Sequence, residues 1–488
     1  INRAYDVYKE LTDYQTGLNN EIEKQVNKIN EISDGIAEYN TIIAQIEASG
    51  VQNANDYRDA RNLLLDELAE YTYFTYREDI DGKMQVYVSG APLVIEGNSY
   101  HMKCERLSED TGMYKVIWED NGYGDVYNLD KAYSNKYMTD TGSLYGTLTA
   151  RGKKFANYTD LPAPPKKPLR EDYKQEDGTI DEDTYNEDYE AYEIAYKQFE
   201  EDTKVFNNTT GNSILTKIES QFDKLIHDMV TMMNDVFCPN IDFETDGVTG
   251  VDANGIDVTL EEGKYRILDV INCPTGADDE VTIGEELFKR IGTERYNVII
   301  LDSALTAEDG TVLTQEFTDT DGTTKHKLYV YNEEQDDNIF SQYTIRNLEM
   351  NDKILANYSL LPVMSNPQAG ENGVYSQGPG GIYDTLLKKW YEKSAVLDPN
   401  TPLTVYAYSD YYKGMIDGLS TQGHVWKTML DDQTKLVESI EDKRQQMAGV
   451  ATDEELVYLL QYQHAFNAAS RYINTIDQML QHLIERMA

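Results

Sequence analysis

The chain has 488 residues and carries 43 lysines and arginines against 87 aspartates and glutamates, a formal net charge of −44. Such a charge repels phosphates and anionic lipid, which argues against nucleic acid as a partner and against membrane binding. The 40% hydrophobic content, with 38 tyrosines, indicates folded domains beneath an acidic surface, and no apolar run is long enough to be inserted in a membrane.

The first predicted element is a long helix with an apolar residue at nearly every seventh position. The stripe consists of Leu18, Ile22, Ile29, Ile32, Ile36, Tyr39, Ile43 and Ile46. Polar Gln25 stands where the pattern expects another apolar residue. Spacings of three and four allow one helix to lie along another, so we expect this stripe at an assembly interface. The sequence begins inside this pattern without an initiator Met, and we expect a preceding segment.

Strand-like runs follow the helical start. Met84, Val86 and Val88 alternate after the turn sequence "DIDG", which predicts a β-hairpin. We assign residues 1–160 to N-terminal rod helices and this hairpin region. The sequence "LPAPPKKP" at 161–168 then predicts a stiff, extended linker.

An acidic, tyrosine-rich helix is predicted after the linker, so that 161–206 forms one insert. Its aromatic residues recur at steps of four and three: Tyr185, Tyr189, Tyr192, Tyr196 and Phe199. One interpretation is an aromatic face packed on the helical rod. The other is a projecting arm that contacts a neighbouring subunit.

The remaining chain divides into four predicted parts: a rod helix at 207–240, an inserted outer domain at 241–402, a return rod helix at 403–450 and an assembly helix at 451–488. In the outer domain, "YRILDV", "YNVIILD" and "HKLYVY" predict strands, and 283–291 predicts a helix. The fold class expected is α+β and multidomain. An elongated α-helical bundle or coiled-coil rod with a β-hairpin is formed from both ends of the chain, and the inserted outer domain is mostly β or α+β.

The closing helix has the most regular heptad pattern in the sequence. Its stripe is Leu459, Tyr462, Phe466, Ala469, Ile473, Ile476, Leu480, Leu483 and Met487. All nine positions are apolar or aromatic, so this stripe is the second part of the expected assembly interface. Thr452 and Glu455 have the spacing of a capping box ahead of it.

No residue pattern predicts catalysis, a cofactor or a metal site. "DTG" occurs at 110–112 and 140–142, but 30 residues is too short a separation for the two lobes of an aspartic protease. The acidic loops at Asp81, Asp252 and Asp321 fail the EF-hand register and favour tight turns. We therefore expect a non-enzyme without cofactors. Three widely spaced cysteines, Cys104, Cys238 and Cys273, permit at most one disulfide, and we expect ordinary buried thiols.

Two stretches carry a family resemblance. "MAGVATDEELVYLLQYQHAFNAASRYINTIDQMLQHLI" at 447–484 resembles the C-terminal signature of the flagellar hook-associated protein 1 (FlgK) family, including the acidic run at 453–455, Gln463, Arg471 and Asp477. The second stretch, at 55–94, reads "NDYRDARNLLLDELAEYTYFTYREDIDGKMQVYVSGAPLV" and is similar to the family's helix and following hairpin. The family usually has a second Arg-Asp pair in this helix, and here Asn62 takes the place of its Asp. A weaker likeness covers 142–152.

The resemblance implies a structural protein at the junction between flagellar hook and filament, outside the cell and secreted by flagellar type III export. It also implies self-association in a ring of about eleven subunits, joined through coiled-coil terminal helices. The implied partners are the hook protein, the second hook-filament junction protein and a cytoplasmic export chaperone.

Four other functions stay open at the level of sequence. The chain could be a flagellin-like filament subunit or a second-junction subunit. The tyrosine-rich insert could also make it a surface adhesin, or a glycan-active module, carried on a flagellar scaffold.

Overall fold

The computed structural model describes residues 2–50, 53–108, 111–119, 122–129, 142–175, 179–278, 281–307, 310–319, 321–364, 381–448 and 452–487. The chain forms two compact units, Ile1–Met415 and Ile416–Ala488. The fold is α+β and multidomain, as expected. The described helices are α1 (Asn2–Glu47), α2 (Asn55–Tyr71), α3 (Gly142–Arg151), α4 (Glu182–Asn208), α5 (Ile214–Phe237), α6 (Asp352–Ala356), α7 (Ile382–Tyr391), α8 (Tyr408–Ala448) and α9 (Thr452–Met487).

The described strands form small antiparallel sheets. In chain order they are β1 (Phe74–Glu78), β2 (Met84–Val88), β3 (Ala91–Ile95), β4 (Asn98–Ser99), β5 (Met102–Arg106), β6 (Tyr114–Trp118), β7 (Asn240–Thr245), β8 (Val248–Val251), β9 (Asp257–Leu260), β10 (Gly263–Leu268), β11 (Phe288–Arg290), β12 (Tyr296–Leu301), β13 (Gln315–Thr318), β14 (Thr324–Tyr331), β15 (Leu348–Met350), β16 (Ala395–Val396) and β17 (Val405–Tyr406). The first sheet has the order β1-β2-β3-β4, and β5 pairs with β6. The outer sheet has the order β7-β10-β14-β12-β8-β9, with β13 on β14.

The first hydrophobic core lies between α1 and the small sheets. Ile22, Ile29, Ile32 and Ile36 pack there with α2, α3 and strands β2, β3, β5 and β6. The predicted hairpin is confirmed, because β1 pairs with β2 and places Met84, Val86 and Val88 in this core. An apolar stripe that the chain itself covers gives this region its own stability.

Asparagines between the isoleucines of α1 bind the backbone of the strands. The Asn40 side chain donates to the Met84 carbonyl at 2.8 Å and accepts from the Met84 amide at 2.9 Å. Asn30 makes the same pair of bonds with Met102, at 2.8 and 2.9 Å. Each amide side chain thereby acts as a strand neighbour would, and the register of α1 on the sheets is fixed by hydrogen bonds.

Two arginines of the stretch at 55–94 have structural roles. Arg58 donates to both carboxylate oxygens of Glu47, at 2.9 and 2.6 Å, and so joins the start of α2 to the end of α1. The buried Arg61 donates to Asn40 at 2.9 Å and to the carbonyl of Gly82 in the hairpin turn at 2.7 Å. Gly82 has a positive φ of 75°, which side chains disfavour.

The three predicted strands of the outer domain are present as β10, β12 and β14. The predicted helix at 283–291 is wrong, because β11 occupies part of this stretch and pairs with β15. The side-chain oxygen of Asn234 accepts from the amides of Leu287 and Phe288, both at 3.1 Å, which takes the donors that a helix would use internally. Gly284 and Gly292, on either side, both have positive φ values that break a helix.

The tyrosine stripe of α4 is covered by the segment that precedes it. Arg170 lies 5.1 Å from the centre of the Tyr185 ring, and Lys167 lies 5.8 Å from that of Tyr189. The 161–173 segment therefore folds back along the helix, where its cations lie over aromatic faces. This segment, which we call the strap, half-covers the tyrosine stripe over this length, where one interpretation placed the helical rod.

Candidate assembly surface

The heptad stripe of α9 is open to solvent. Leu459, Tyr462, Phe466 and Ile473 are 63 to 74% exposed, and Ile476 is 38% exposed. Ala469 is exposed as well, as is every described side chain from 453 to 479. The side chains of Leu480, Leu483, Met487 and Thr452 lie outside the described residues. A contiguous apolar stripe of this size on a helix marks a surface that another chain or segment covers.

Helix α8 is buried at its start and presents apolar side chains further along. Tyr411 and Met415, at the start of α8, are buried against α5 and the neighbouring strand residues. From residue 420 to 447 every side chain is exposed, including Trp426, Ile440 and Met447. The exposed surface therefore comprises α9 and the later part of α8, and we call it the assembly surface.

The first turn of α9 carries three acidic side chains, which suit the N-terminus of a helix. Asp453, Glu454 and Glu455 form the first turn of α9, where carboxylates interact favourably with the partial positive charge of the N-terminus. The same three residues belong to the family-like motif, so part of that motif serves helix initiation.

The residues predicted on α1 have a different environment, which corrects the expectation of an interface there. Ile22, Ile29, Ile36 and Ile43 each have no exposed surface, and Leu18 is half-buried. Their partners are the sheets and helices of their own chain, because the α1 stripe is wide enough to bury positions beside the heptad repeat, such as Asn40. They form a core, whereas the described stripe residues of α9 are exposed.

A half-buried ionic cluster of interacting titratable side chains is centred on α5. The His227 ring stacks on Tyr158 with 3.8 Å between centres, and its two nitrogens lie 3.1 Å from Asp228 and 3.1 Å from Glu334. Burial disfavours the charged ring, but hydrogen bonds to both carboxylates raise the pKa of His227 above its usual value. A histidine that donates from both nitrogens is a cation, so this group joins α5 to the 334 loop as an ion-pair anchor.

Two further carboxylates of α5 hold backbone amides. Asp223 accepts from the amides of Tyr158 at 2.9 Å and Ile345 at 2.8 Å. Glu219 accepts from the amide of Ala156 at 3.0 Å. Burial raises the pKa of Asp223 to about 6 and that of Glu219 to about 7. These groups are enclosed and already bonded to the chain, so their arrangement is that of structural anchors.

The other sequence candidates are placed as follows. Gly112 and Gly142 are described, while Asp110, Asp140 and Thr141 of the two "DTG" sequences lie outside the described residues. Asp252 and Asp321 accept from the amides of their own turns, which agrees with the tight-turn interpretation. Among the residues that the structure describes, no group of three or more His, Cys, Asp or Glu side chains is placed to hold a metal ion.

No helix in the described ranges is both long enough and apolar enough to cross a membrane.

Sequence reasoning missed the buried asparagines of α1 and the α5 carboxylates. Their spacing places them within apolar helical stripes, and a polar side chain buried there needs a hydrogen-bond partner inside the protein. That spacing is the signal by which the sequence indicates them.

Two regions of the chain match models of known protein families. Residues 1–161 match the family model of the flagellar hook-associated protein FlgK helical domain. Residues 443–486 match the flagellar basal body rod FlgEFG protein C-terminal model. The first match contains the α1 core, and the second contains the described α9 stripe.

Individual relatives were found by sequence and by structure. Over 78 residues the chain is 33% identical to flagellar hook-associated protein 1 of Bacillus subtilis (strain 168). This match covers 16% of this chain and 15% of that protein. The structure of the flagellar hook junction protein FlgK from Burkholderia pseudomallei is 13% identical, with a TM-score of 0.36, and the match covers 75% of this chain and 54% of that chain.

Proposed function

We propose that this chain is a flagellar hook-associated structural protein of the FlgK type and that it forms the junction between hook and filament. The observation that carries the proposal is the exposed stripe on α9, which lies within the region that matches rod-protein C-termini. The function is structural: α9 joins subunits, while the covered α1 region is the rigid body that is joined.

The size of the stripe is sufficient for association. Burial of a Leu, Ile, Phe or Tyr side chain contributes about 1.5 to 3 kcal/mol, so the described stripe residues supply on the order of 10 kcal/mol before entropic costs. A helix of this length is marginal without tertiary contacts, because most helical stability in proteins comes from packing an apolar face. The proposed assembly therefore couples the ordering of α9 to contact with neighbouring helices.

The proposed partners are those that the resemblance to the FlgK family implies, and the exposed stripe of α9 supports association. Copies of this chain form a ring of about eleven subunits, with the hook protein on one side and the second hook-filament junction protein on the other. Before type III export, a cytoplasmic chaperone covers the assembly surface. An acidic chaperone surface is disfavoured, because this chain carries a charge of −44.

The proposal is tested with Phe466→Asp combined with Ile473→Asp, expressed in cells that lack the native gene product. We expect secretion without incorporation at the hook tip, and an unchanged thermal transition for the 1–415 unit. The matched control is Asn467→Asp with Asn474→Asp, which adds the same charges one position away from the stripe. Normal incorporation of the stripe variant, or equal loss in the control, would contradict the role of the stripe.

A second measurement separates the junction from other flagellar positions. Antibody labelling of isolated flagella should mark a single point between hook and filament. Labelling along the whole filament would instead indicate a flagellin-like subunit. A chain that ends at residue 448 should fail to incorporate, and its normal assembly would exclude α9 as the joining helix.

A further inference from the structure

Cys238 and Cys273 lie together in the core at the base of the outer sheet. Cys238 follows the last residue of α5, and Cys273 lies shortly after β10. Both side chains are 0% exposed and belong to the same hydrophobic cluster. The whole sequence has three cysteines in 488 residues, so the contact of two of them calls for an explanation.

The backbone holds this pair in a defined geometry. Strands β7 and β10 pair up to Asn240 and Leu268, and the amide of Asp269 then donates to the carbonyl of Pro239 at 2.9 Å. The next residues turn back, because the amide of Cys273 donates to the Asp269 carbonyl at 2.8 Å.

The side chains complete the approach. The Cys273 sulfur lies 3.4 Å from the carbonyl oxygen of Phe237, the residue bonded to Cys238, and 3.3 Å from that of Pro274. The one hydrogen of this thiol can bond to either oxygen. The Cys238 thiol lies near enough to Cys273 for the two groups to interact within the same buried cluster. Two cysteines placed side by side on neighbouring backbone segments are what a disulfide requires.

We propose that Cys238 and Cys273 form a disulfide bond once the chain is outside the cell. This inference rests on the proposed extracellular location, where disulfides persist. A low-molecular-weight disulfide is the oxidant: its two thiolates leave as thiols, each taking a proton from a cysteine, while one S–S bond breaks and one S–S bond forms between Cys238 and Cys273. The flagellar protein then carries one disulfide and one thiol.

The bond closes while the outer domain folds. Burial raises the pKa of the Cys238 thiol well above its usual value, so the folded domain holds little of the thiolate that exchange requires. A chain that folds in the reducing cytoplasm keeps its thiols, whereas one that folds outside meets the oxidant before the site is enclosed. The bond joins the residue after α5 to the segment after β10 and encloses β7, β8, β9 and β10 in one loop.

Cys104 provides an internal control. It is half-buried on β5 and belongs to the α1 region, while Cys238 and Cys273 belong to the core beneath the outer sheet. Oxidation that followed chance encounters would include this more accessible thiol. Oxidation guided by the fold leaves it reduced.

The first test uses full-length protein from isolated flagella, unfolded in the presence of an alkylating reagent. We expect one alkylated cysteine, Cys104, and a mass increase of about 2 Da after reduction. A non-reduced digest should contain a cross-linked peptide pair that holds residues 238 and 273. Alkylation of all three cysteines, or a bond that includes Cys104, would overturn the proposal.

The second test does not depend on assembly. Purified chain is unfolded, reduced and refolded with oxidised glutathione, and we expect the same bond and a midpoint of outer-domain unfolding raised by roughly 5 to 15 °C over the reduced form. Cys104→Ser should retain this increase, and Cys238→Ala with Cys273→Ala should lose it while still folding. Failure to form the bond here would overturn the disulfide alone, whereas a bond here with absence of the chain from flagella would count against the proposed function alone.

Discussion

Helices α1 and α9 carry the same seven-residue apolar repeat, yet one is a core and the other a surface. On α1 all but one of the stripe isoleucines are fully buried, and the adjacent positions include Asn40, whose amide binds strand β2. On α9 the stripe is exposed, and its neighbours Asn467 and Asn474 are exposed with it. The repeat therefore identifies a face to be covered, while only the tertiary contacts of the residues beside it, such as those of Asn40, show whether the chain covers it.

The largest difference between the two helices is expected in stability. Ile29→Ala removes a fully buried side chain from the α1 core and should lower the free energy of unfolding by about 2 to 5 kcal/mol, because it leaves a cavity. Ile473→Ala on the exposed stripe should change it by less than about 0.5 kcal/mol in the free chain. Denaturant unfolding of both variants measures the difference, and equal losses would mean that the α9 stripe is covered within the monomer.

The next largest effect concerns the asparagines. Asn40→Ala leaves the amide and carbonyl of Met84 and one donor of Arg61 without their partner, so we expect a loss of about 2 to 3 kcal/mol. Asn474→Ala is the control, since this residue is exposed on α9. A loss below about 0.5 kcal/mol at Asn40, measured by urea unfolding, would show that hydrogen bonds do not fix the register of α1.

A smaller effect is expected on how stability depends on pH, which should differ between a buried and an exposed glutamate. Glu219 is a carboxyl whose pKa burial raises to about 7, and one of its oxygens has no hydrogen-bond partner. A raised pKa in the folded state means that its contribution to stability is complete below about pH 4.5 and is lost as the pH rises through 7.

Glu219→Gln should therefore stabilise the chain by about 1 to 2 kcal/mol at pH 8 and have little effect at pH 4. Glu262→Gln, at an exposed position, is the matched control, and we expect it to change the free energy of unfolding by less than about 0.5 kcal/mol. Unfolding curves at the two pH values measure both variants. Equal effects of Glu219→Gln at pH 4 and pH 8 would contradict the assignment of a raised pKa.

The smallest effect is expected from the strap and the tyrosine helix. The tyrosine stripe is already half-covered by the chain's own 161–173 segment, so removal of 161–206 with a short flexible bridge should leave incorporation at the hook tip within about twofold of normal. Quantitative labelling of isolated flagella measures this ratio. Loss of incorporation, with unfolding unchanged, would instead identify the segment as an arm that contacts neighbouring subunits.

Several local features were predictable from the sequence because their signals are local. The β1–β2 hairpin follows from alternating residues around "DIDG", and strands β10, β12 and β14 follow from runs of branched and aromatic residues. The stretch 283–291 was mispredicted because its apolar residues suit a helix. The oxygen of Asn234, about 50 residues away, takes two of its backbone amides instead.

Periodicity and motifs are properties of neighbouring residues, so the heptad stripes, the long helices that carry them and the family likeness at both ends follow from the sequence. Tertiary structure alone decided that the α1 stripe is an internal core and that the stripe of α9 is open. It also decided that Cys238 meets Cys273. Burial and contact depend on which distant segment reaches a face first, and no local pattern records that competition.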